Sequence, residues 1–269
     1  MSIAAEGTIR GGWRHPAGPL GALNPLAKIV ALVPAMVIVI VSRDLPTPLA
    51  LLALAVVALI AGARPPARTV AALAVGLPVA IALGTIGFAA WSNPAVVDRS
   101  VLLLQIGEYR IFLGSVVVGL TASLRLAALL ALALVAGLTT DGTDFVRSTV
   151  QHLRVPYRIG YTALAAYRFV PRFRRDLEVI RQAHRVRGSG GRRGPGAAVR
   201  RFTGSIVPLL AGAIRHAERV ALAMDARAFG AHATRTERHL VPLRVRDGVF
   251  VVTFWAATVA AVVVVRSIP

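Results

Sequence analysis

Five stretches of this chain are apolar over runs too long and too unbroken for a helix with one wet face. They are "NPLAKIVALVPAMVIVIVS" at about 24–42, "TPLALLALAVVALIAG" at about 47–62, "TVAALAVGLPVAIALGTIGFAAW" at 69–91, a run from about Ile111 to Thr139, and "GVFVVTFWAATVAAVVVV" at 248–265. A helix needs about 20 residues to cross the roughly 30 Å hydrocarbon core of a bilayer, so each run predicts a transmembrane helix. The fourth exceeds a perpendicular crossing and implies tilt or protrusion. "RDLP" is a short turn between the first two, and the prolines of "ARPPAR" at 63–68 stop the second. Residues 92–110 are mixed and nearly neutral, as suits an outer loop.

Between the fourth and fifth runs the pattern changes to helices with one apolar face. Thr143 and Asp144 read as a helix start, the threonine hydroxyl capping free N–H groups, with a first helix over about 144–154 ending before Pro156. A second runs from Pro156 to about Arg187, "GSGGRRGPG" at 188–196 breaks the pattern, and a third covers about 198–228. On the third, Ile206, Leu209, Leu210, Ala213, Ile214, Ala217, Val220, Ala221 and Met224 follow helical spacing as one stripe, with Arg215, Glu218 and Arg219 opposite. Arg227, three residues past Met224, continues the stripe. On the second helix Phe173, Leu177, Ile180 and His184 form the stripe, and Arg187 follows three residues later. Glycine follows each arginine, at Gly188 and Gly230, as at helix ends. Two readings stand side by side. The arginines neutralise the negative ends of helix dipoles, worth roughly 0.3–1 kcal/mol, or they are docking groups, since both lie on the apolar side among small residues.

Composition agrees with a polytopic membrane protein. Of the 269 residues 56% are hydrophobic, mean hydropathy is +0.67, and only 16% are charged, against about a quarter in a soluble domain. The absence of cysteine excludes disulfides and thiolate metal sites. Net charge is +19, and 21 of the 31 basic residues fall between Arg147 and Arg246. An arginine excess beside spans marks the cytoplasmic side. With the amino end inside, five crossings put "ARPPAR" and the basic block inside too, leaving Arg43, Arg99, Arg110 and Arg266 outside. The start, "MSIAAEGTIRGGWRHPAGPL", lacks the charged-then-apolar order of a cleavable signal peptide. Arg125 interrupts the fourth span about 21 Å up from Thr139, counting 14 residues at about 1.5 Å each. An intramembrane cation invites a functional reading; past the midplane it can also snorkel outward.

At its two arginine-bearing helix ends the chain resembles the T component, the transmembrane scaffold subunit, of energy-coupling factor transporters, including the cobalt- and nickel-uptake forms. That family carries two short Ala-Arg-Gly-type motifs at the ends of cytoplasmic coupling helices. The second is matched by "AMDARAFG", with Ala226 and Arg227 in place and Ala228 at the usual glycine position. The first is matched by "RQAHRVRGSG", where Arg187 and Gly188 fit and Val186 replaces alanine. "LNPLAKIVAL", "GLTTDGTDFVRSTVQHLRVP" and "YRFVPRF" resemble the family's approach to its first span, its exit from the fourth, and its first long coupling helix. The resemblance covers nearly the whole chain.

It implies an all-α membrane protein: transmembrane helices 1–4 over residues 1–140, cytoplasmic coupling helices over 141–246, and a last transmembrane helix over 247–269. It implies two cytoplasmic ABC-type ATPase subunits and a membrane substrate-binding S component as partners, in the cell membrane, for uptake of a vitamin or a transition metal. Val186, Arg187, Gly188, Ala226, Arg227 and Ala228 are the implied ATPase-binding residues. No cofactor, metal or nucleic acid is expected, and no catalysis by the chain itself. "GSGGRRGPG" lacks the Gly-Lys-Ser/Thr of a phosphate-binding loop, and the six histidines show no His-Glu-x-x-His. The alternative is a membrane-anchored basic domain that binds anionic lipid or RNA. RNA binding calls for exposed aromatics among the arginines, whereas Tyr157, Tyr161, Tyr167, Phe169 and Phe173 suit helix packing.

Overall fold

The computed structural model describes residues 18–91, 101–106, 109–187, 195–232 and 236–267. After a short 3-10 turn at Pro19–Ala22 come α1 (Pro25–Val41), α2 (Pro46–Ala63), α3 (Ala67–Trp91), the hairpin strands β1 (Leu102–Ile106) and β2 (Tyr109–Phe112), then α4 (Leu113–Thr139), α5 (Gly142–His152), α6 (Tyr157–Val186), α7 (Pro195–Asp225) and α8 (Val245–Ser267). Among the described residues the architecture is all-α apart from that hairpin. The hairpin occupies part of the expected outer loop, pairing antiparallel with Leu104 opposite Ile111 and Ile106 opposite Tyr109. Residues 92–100 of that loop, and 188–194 of the expected break between coupling helices, lie outside the described residues. By length and apolarity α2, α3, α4 and α8 can each cross a membrane. α1, with 17 residues, reaches about 25 Å, the lower limit for a span.

The chain divides into two compact units, Met1–Ser148 with Val241–Pro269, and Thr149–Leu240. In the first, α4 packs against α1, α2 and α3, and α8 against α1 and α2. The interfaces are built from small and medium side chains. Ala31, Ala35 and Val39 of α1, Leu51, Ala55 and Leu59 of α2, and Ala128, Leu132 and Val135 of α4 are all buried in one core. Lipid offers no hydrophobic drive for helix association, so close backbone approach through small residues has to supply the packing. The α3–α4 crossing is the clearest case: a Cβ on Gly119 would lie 2.5 Å from the Thr85 carbonyl oxygen and 2.9 Å from the Ala89 nitrogen. The faces turned away from this core carry Val33, Val37 and Ile40 of α1, Val79, Leu83 and Ile86 of α3, and Val252, Val259 and Val263 of α8, all exposed, as lipid-facing positions would be.

Two expectations about polar residues are sharpened. The cap of α5 is Asp141 rather than Thr143: its carboxylate accepts from the Thr143 N–H at 2.8 Å, and Asp144 pairs with Arg147 at 3.4 Å. A carboxylate is the stronger acceptor for free helix N–H groups. Arg125 reaches away from α4 to the end of α1, where its guanidinium donates to the Ser42 carbonyl at 2.5 Å. That carbonyl sits at the negative end of the α1 dipole, while the Arg125 Nε is buried with no hydrogen-bond partner among the described residues.

Candidate functional site

The arginine-bearing helix ends belong to the Thr149–Leu240 unit, whose two long helices pack against each other. Their contacts fix the direction. Phe169 stacks on His216 with ring centres 5.1 Å apart, while Tyr157 and Tyr161 meet Phe229 edge-on at 5.7 and 6.3 Å. Going forward along α6 therefore means going backward along α7, so the pair is antiparallel. Arg227 lies level with the start of α6 and Arg187 follows its far end. At 1.5 Å per residue the two are about 40 Å apart along the helix axis.

The apolar stripe of α7 divides between two environments. Leu209, Ala213, Val220 and Met224 are half-buried, whereas Ile206, Leu210, Ile214, Ala217 and Ala221 are exposed. On α6, Leu177, Ile180 and His184 are half-buried and Phe173 is at the margin. The stripes are thus wider than the seam that joins the helices. Outside it, Asp176 pairs with Arg172 at 3.8 Å.

Val186 and Arg187 are exposed at the end of α6, with the Arg187 N–H donating to the Ala183 carbonyl at 3.1 Å. Gly188 lies outside the described residues. At the other end Ala226, Arg227 and Ala228 are all exposed. Here the backbone forms a Schellman turn: the Phe229 N–H donates back to Met224 O at 3.0 Å and the Ala228 N–H to Asp225 O at 2.9 Å. In that turn Arg227 is the last half-helical residue and Ala228 must be left-handed, which its φ of 53° confirms. The place where glycine is usual is therefore the one place in the turn where glycine would be strain-free. Among the described residues neither Arg187 nor Arg227 has an ionic partner. Both guanidinium groups are free to donate, and dipole neutralisation leaves their fork of donors unused.

The turn after α7 is clasped by Tyr157 and Tyr161, which the sequence assigned to helix packing, and by Arg158, which it did not single out. The Arg158 guanidinium donates to the Gly230 carbonyl at 2.5 Å, the Tyr157 hydroxyl to the His232 carbonyl at 2.6 Å, and the Tyr161 hydroxyl to Glu237 at 2.7 Å. Two of the three acceptors are backbone carbonyls, which leave no residue-type signal. Arg227 is consequently fixed to α6 as well as to α7.

The membrane-spanning unit holds a second cluster that was also missed, at the start of α1. Asn24, Lys28, Thr139, Ser148 and Asp247 are all buried there. Asn24 caps α1 by accepting from the Leu26 N–H at 2.9 Å. Lys28, one turn on, donates to the Thr139 carbonyl at the end of α4 at 2.5 Å. The signal was present: an Asn-Pro pair ahead of an apolar run is a cap followed by a first-turn proline, and a lysine inside such a run requires a buried partner.

The family model described as CbiQ, cobalt transport protein, matches residues 18–238. The energy-coupling factor transporter transmembrane protein EcfT of Bacillus subtilis (strain 168) is 28% identical over 144 residues, 51% of this chain and 54% of that protein. EcfT of Staphylococcus aureus (strain 04-02981) is 28% identical over 137 residues, 48% of this chain and 51% of that one. A protein of Bifidobacterium longum (strain NCC 2705) named as an ABC transporter ATP-binding protein is 27% identical over 250 residues, which is 88% of this chain but 31% of that protein. The chain thus spans about half the length of the two EcfT relatives it matches.

Proposed function

The chain belongs to the CbiQ cobalt transport protein family, as a multi-pass T component of energy-coupling factor transporters, and from that premise we propose that it carries ATP-driven movement from two cytoplasmic ATPase subunits to a membrane S component that releases the substrate. Arg187 and Arg227, each with its flanking residues, are the ATPase-docking groups. The observation that carries this reading is the placing of two exposed, ionically unpartnered arginines at opposite ends of one antiparallel helix pair, about 40 Å apart along its axis.

Arginine suits the task because its planar fork pairs with a carboxylate in two places and tolerates partial desolvation. Surrounded by apolar side chains, such a charged hydrogen bond contributes roughly 1.5–3 kcal/mol. ATPase partners are also supported by the Bifidobacterium longum relative, in which a stretch equivalent to most of this chain sits within a much longer protein named for ATP binding. Hydrolysis belongs to the partners, and the amino end lies on the cytoplasmic side with the arginine-rich unit. Substrate choice, a vitamin or a transition metal, rests with the S component.

The test reverses each charge, Arg187→Glu and Arg227→Glu, and follows copurification of ATPase with the membrane complex together with substrate uptake. Each reversal is expected to weaken assembly at least about tenfold, the equivalent of one charged hydrogen bond. Wild-type assembly and uptake in both variants would overturn the proposal. Salt-sensitive RNA retention without any ATPase would favour a nucleic-acid-binding role instead.

A further inference from the structure

The polypeptide leaves the membrane-spanning unit after Ser148 and returns to it at Val241. One side chain holds both of these residues. The Ser148 hydroxyl donates to Asn24 Oδ1 at 2.8 Å, and Asn24 Nδ2 donates to the Val241 carbonyl at 3.1 Å. The amide's orientation is fixed by its partners, since the Leu26 N–H can face only the oxygen and the Val241 carbonyl only the NH2. The backbone of the same residue joins in: the Asn24 N–H donates to Asp247 Oδ1 at 2.8 Å, and the other Asp247 oxygen accepts from the Arg244 N–H at 2.7 Å. Asn24, Ser148 and Asp247 are each no more than 3% exposed.

We propose that Asn24 is the positioning residue through which movement of the Thr149–Leu240 unit enters the transmembrane helices, by tying the outgoing and returning chain to the head of α1. This rests on the coupling role proposed above and specifies where the coupling passes. A helix cap alone would need only the bond to Leu26. The amide does more because it presents an acceptor and a donor on one rigid plane, which neither a carboxylate nor a hydroxyl of the same reach can do. Lys28 extends the tie to the end of α4 through Thr139. A displacement of either connection therefore reaches α1, α4 and α8 together. With the amide removed, Ser148 and Val241 each lose their hydrogen bond to the head of α1.

The experiment uses the full transporter complex and reads three quantities: assembly, ATP hydrolysis, and uptake per ATP hydrolysed. Asn24→Ser keeps an oxygen for the Leu26 N–H but is too short to hold Val241. Asn24→Asp keeps the acceptor contacts and sets a carboxylate oxygen against the Val241 carbonyl in place of the donor. Ser148→Ala removes the outgoing connection's bond to Asn24 and leaves the Val241 bond in place. Assembly and ATP hydrolysis are expected to stay within about twofold of wild type, while uptake per ATP falls about tenfold in Asn24→Ser and about threefold in the other two, as losing two or one buried hydrogen bonds implies. Leu132→Ala, a core truncation in α4, is expected to reduce the amount of complex and leave uptake per ATP unchanged. Unchanged uptake per ATP in Asn24→Ser overturns the inference; should that variant not assemble, unchanged ratios in both Asn24→Asp and Ser148→Ala overturn it equally. Wild-type behaviour of Arg187→Glu and Arg227→Glu would instead sink the coupling role itself, so the two failures are distinguishable.

Discussion

Replacing Ala228 with glycine should strengthen the helix end that presents Arg227. Ala228 sits at φ 53°, a left-handed conformation that costs an L-residue with a Cβ about 1–2 kcal/mol. Glycine removes that cost but gains about 0.4–1 kcal/mol of backbone freedom in the opened state. The methyl group is exposed, so its loss forfeits no packing. The difference is a net gain of about 0.5–1 kcal/mol, which lowers the local opening constant about two- to fivefold. Hydrogen exchange reads this directly, because the N–H groups of residues 228 and 229 make the two bonds that close the turn. The matched control is Ala226→Gly. Ala226 still donates helically to Leu222 at 2.9 Å, so glycine there should cost about 1 kcal/mol. Two identical substitutions, two residues apart, thus carry opposite signs. Slower exchange for both variants, or faster exchange in Ala228→Gly, would refute the left-handed assignment and with it the Schellman turn.

Other consequences concern the membrane-spanning unit. Gly119→Ala should destabilise it by about 1–3 kcal/mol, since the new Cβ meets backbone atoms of α3 that cannot rotate aside; Gly76→Ala, with nothing within 4 Å, should be neutral or stabilising by up to about 1 kcal/mol, and thermal unfolding in detergent compares the two. Asp44, in the turn before α2, is held below its ordinary value of 3.8: its slight burial acts in the opposite direction, and hydrogen bonds from the Thr47 hydroxyl and N–H overcome it. A lowered carboxylate stabilises fully above its unfolded-state pKa and loses that contribution as pH falls through the folded value. The melting temperature should therefore show a small decline confined to pH below about 4, absent in Asp44→Ala.

Features that depend on one element's own residues were legible in the sequence. The five spans, α6 and α7 lie within about three residues of their expected limits because apolar runs and helical periodicity are local. The hairpin at Leu102–Phe112 was not found, since short apolar strands beside a turn leave no helical period to measure. The cap of α5 was misplaced by two residues because Asp141, Thr143 and Asp144 all carry capping chemistry, and only the backbone decides among them. Of the candidate site, the two arginines and the anomaly at Ala228 could be read directly. Their antiparallel placement could not, because it depends on pairs such as Phe169–His216 that are far apart in the chain. The Asn24 cluster joins residues up to 223 positions apart. Asn24 and Lys28 carry a local signal, but nothing local names their partners.

The separation of the two arginines bears on how the proposed coupling would work. About 40 Å is several times the Debye length of roughly 8 Å at physiological ionic strength, so neither guanidinium senses the other's charge or the occupancy of its partner through the solvent. Each end would be engaged independently, and communication between them would have to be mechanical. The clasp of Tyr157, Tyr161 and Arg158 supplies a stiff route at the Arg227 end, since it joins the segment that follows α7 to the first turns of α6. A force applied at Arg227 is thereby shared by both helices instead of bending one. The same first turns of α6 follow directly on the connection leading from α5 and Ser148, and the segment after the clasp leads on to Val241. In the proposed coupling two widely spaced inputs would therefore converge, along the chain itself, on the two residues that Asn24 holds. That convergence is why the asparagine, rather than either arginine, is the position where hydrolysis and uptake should come apart.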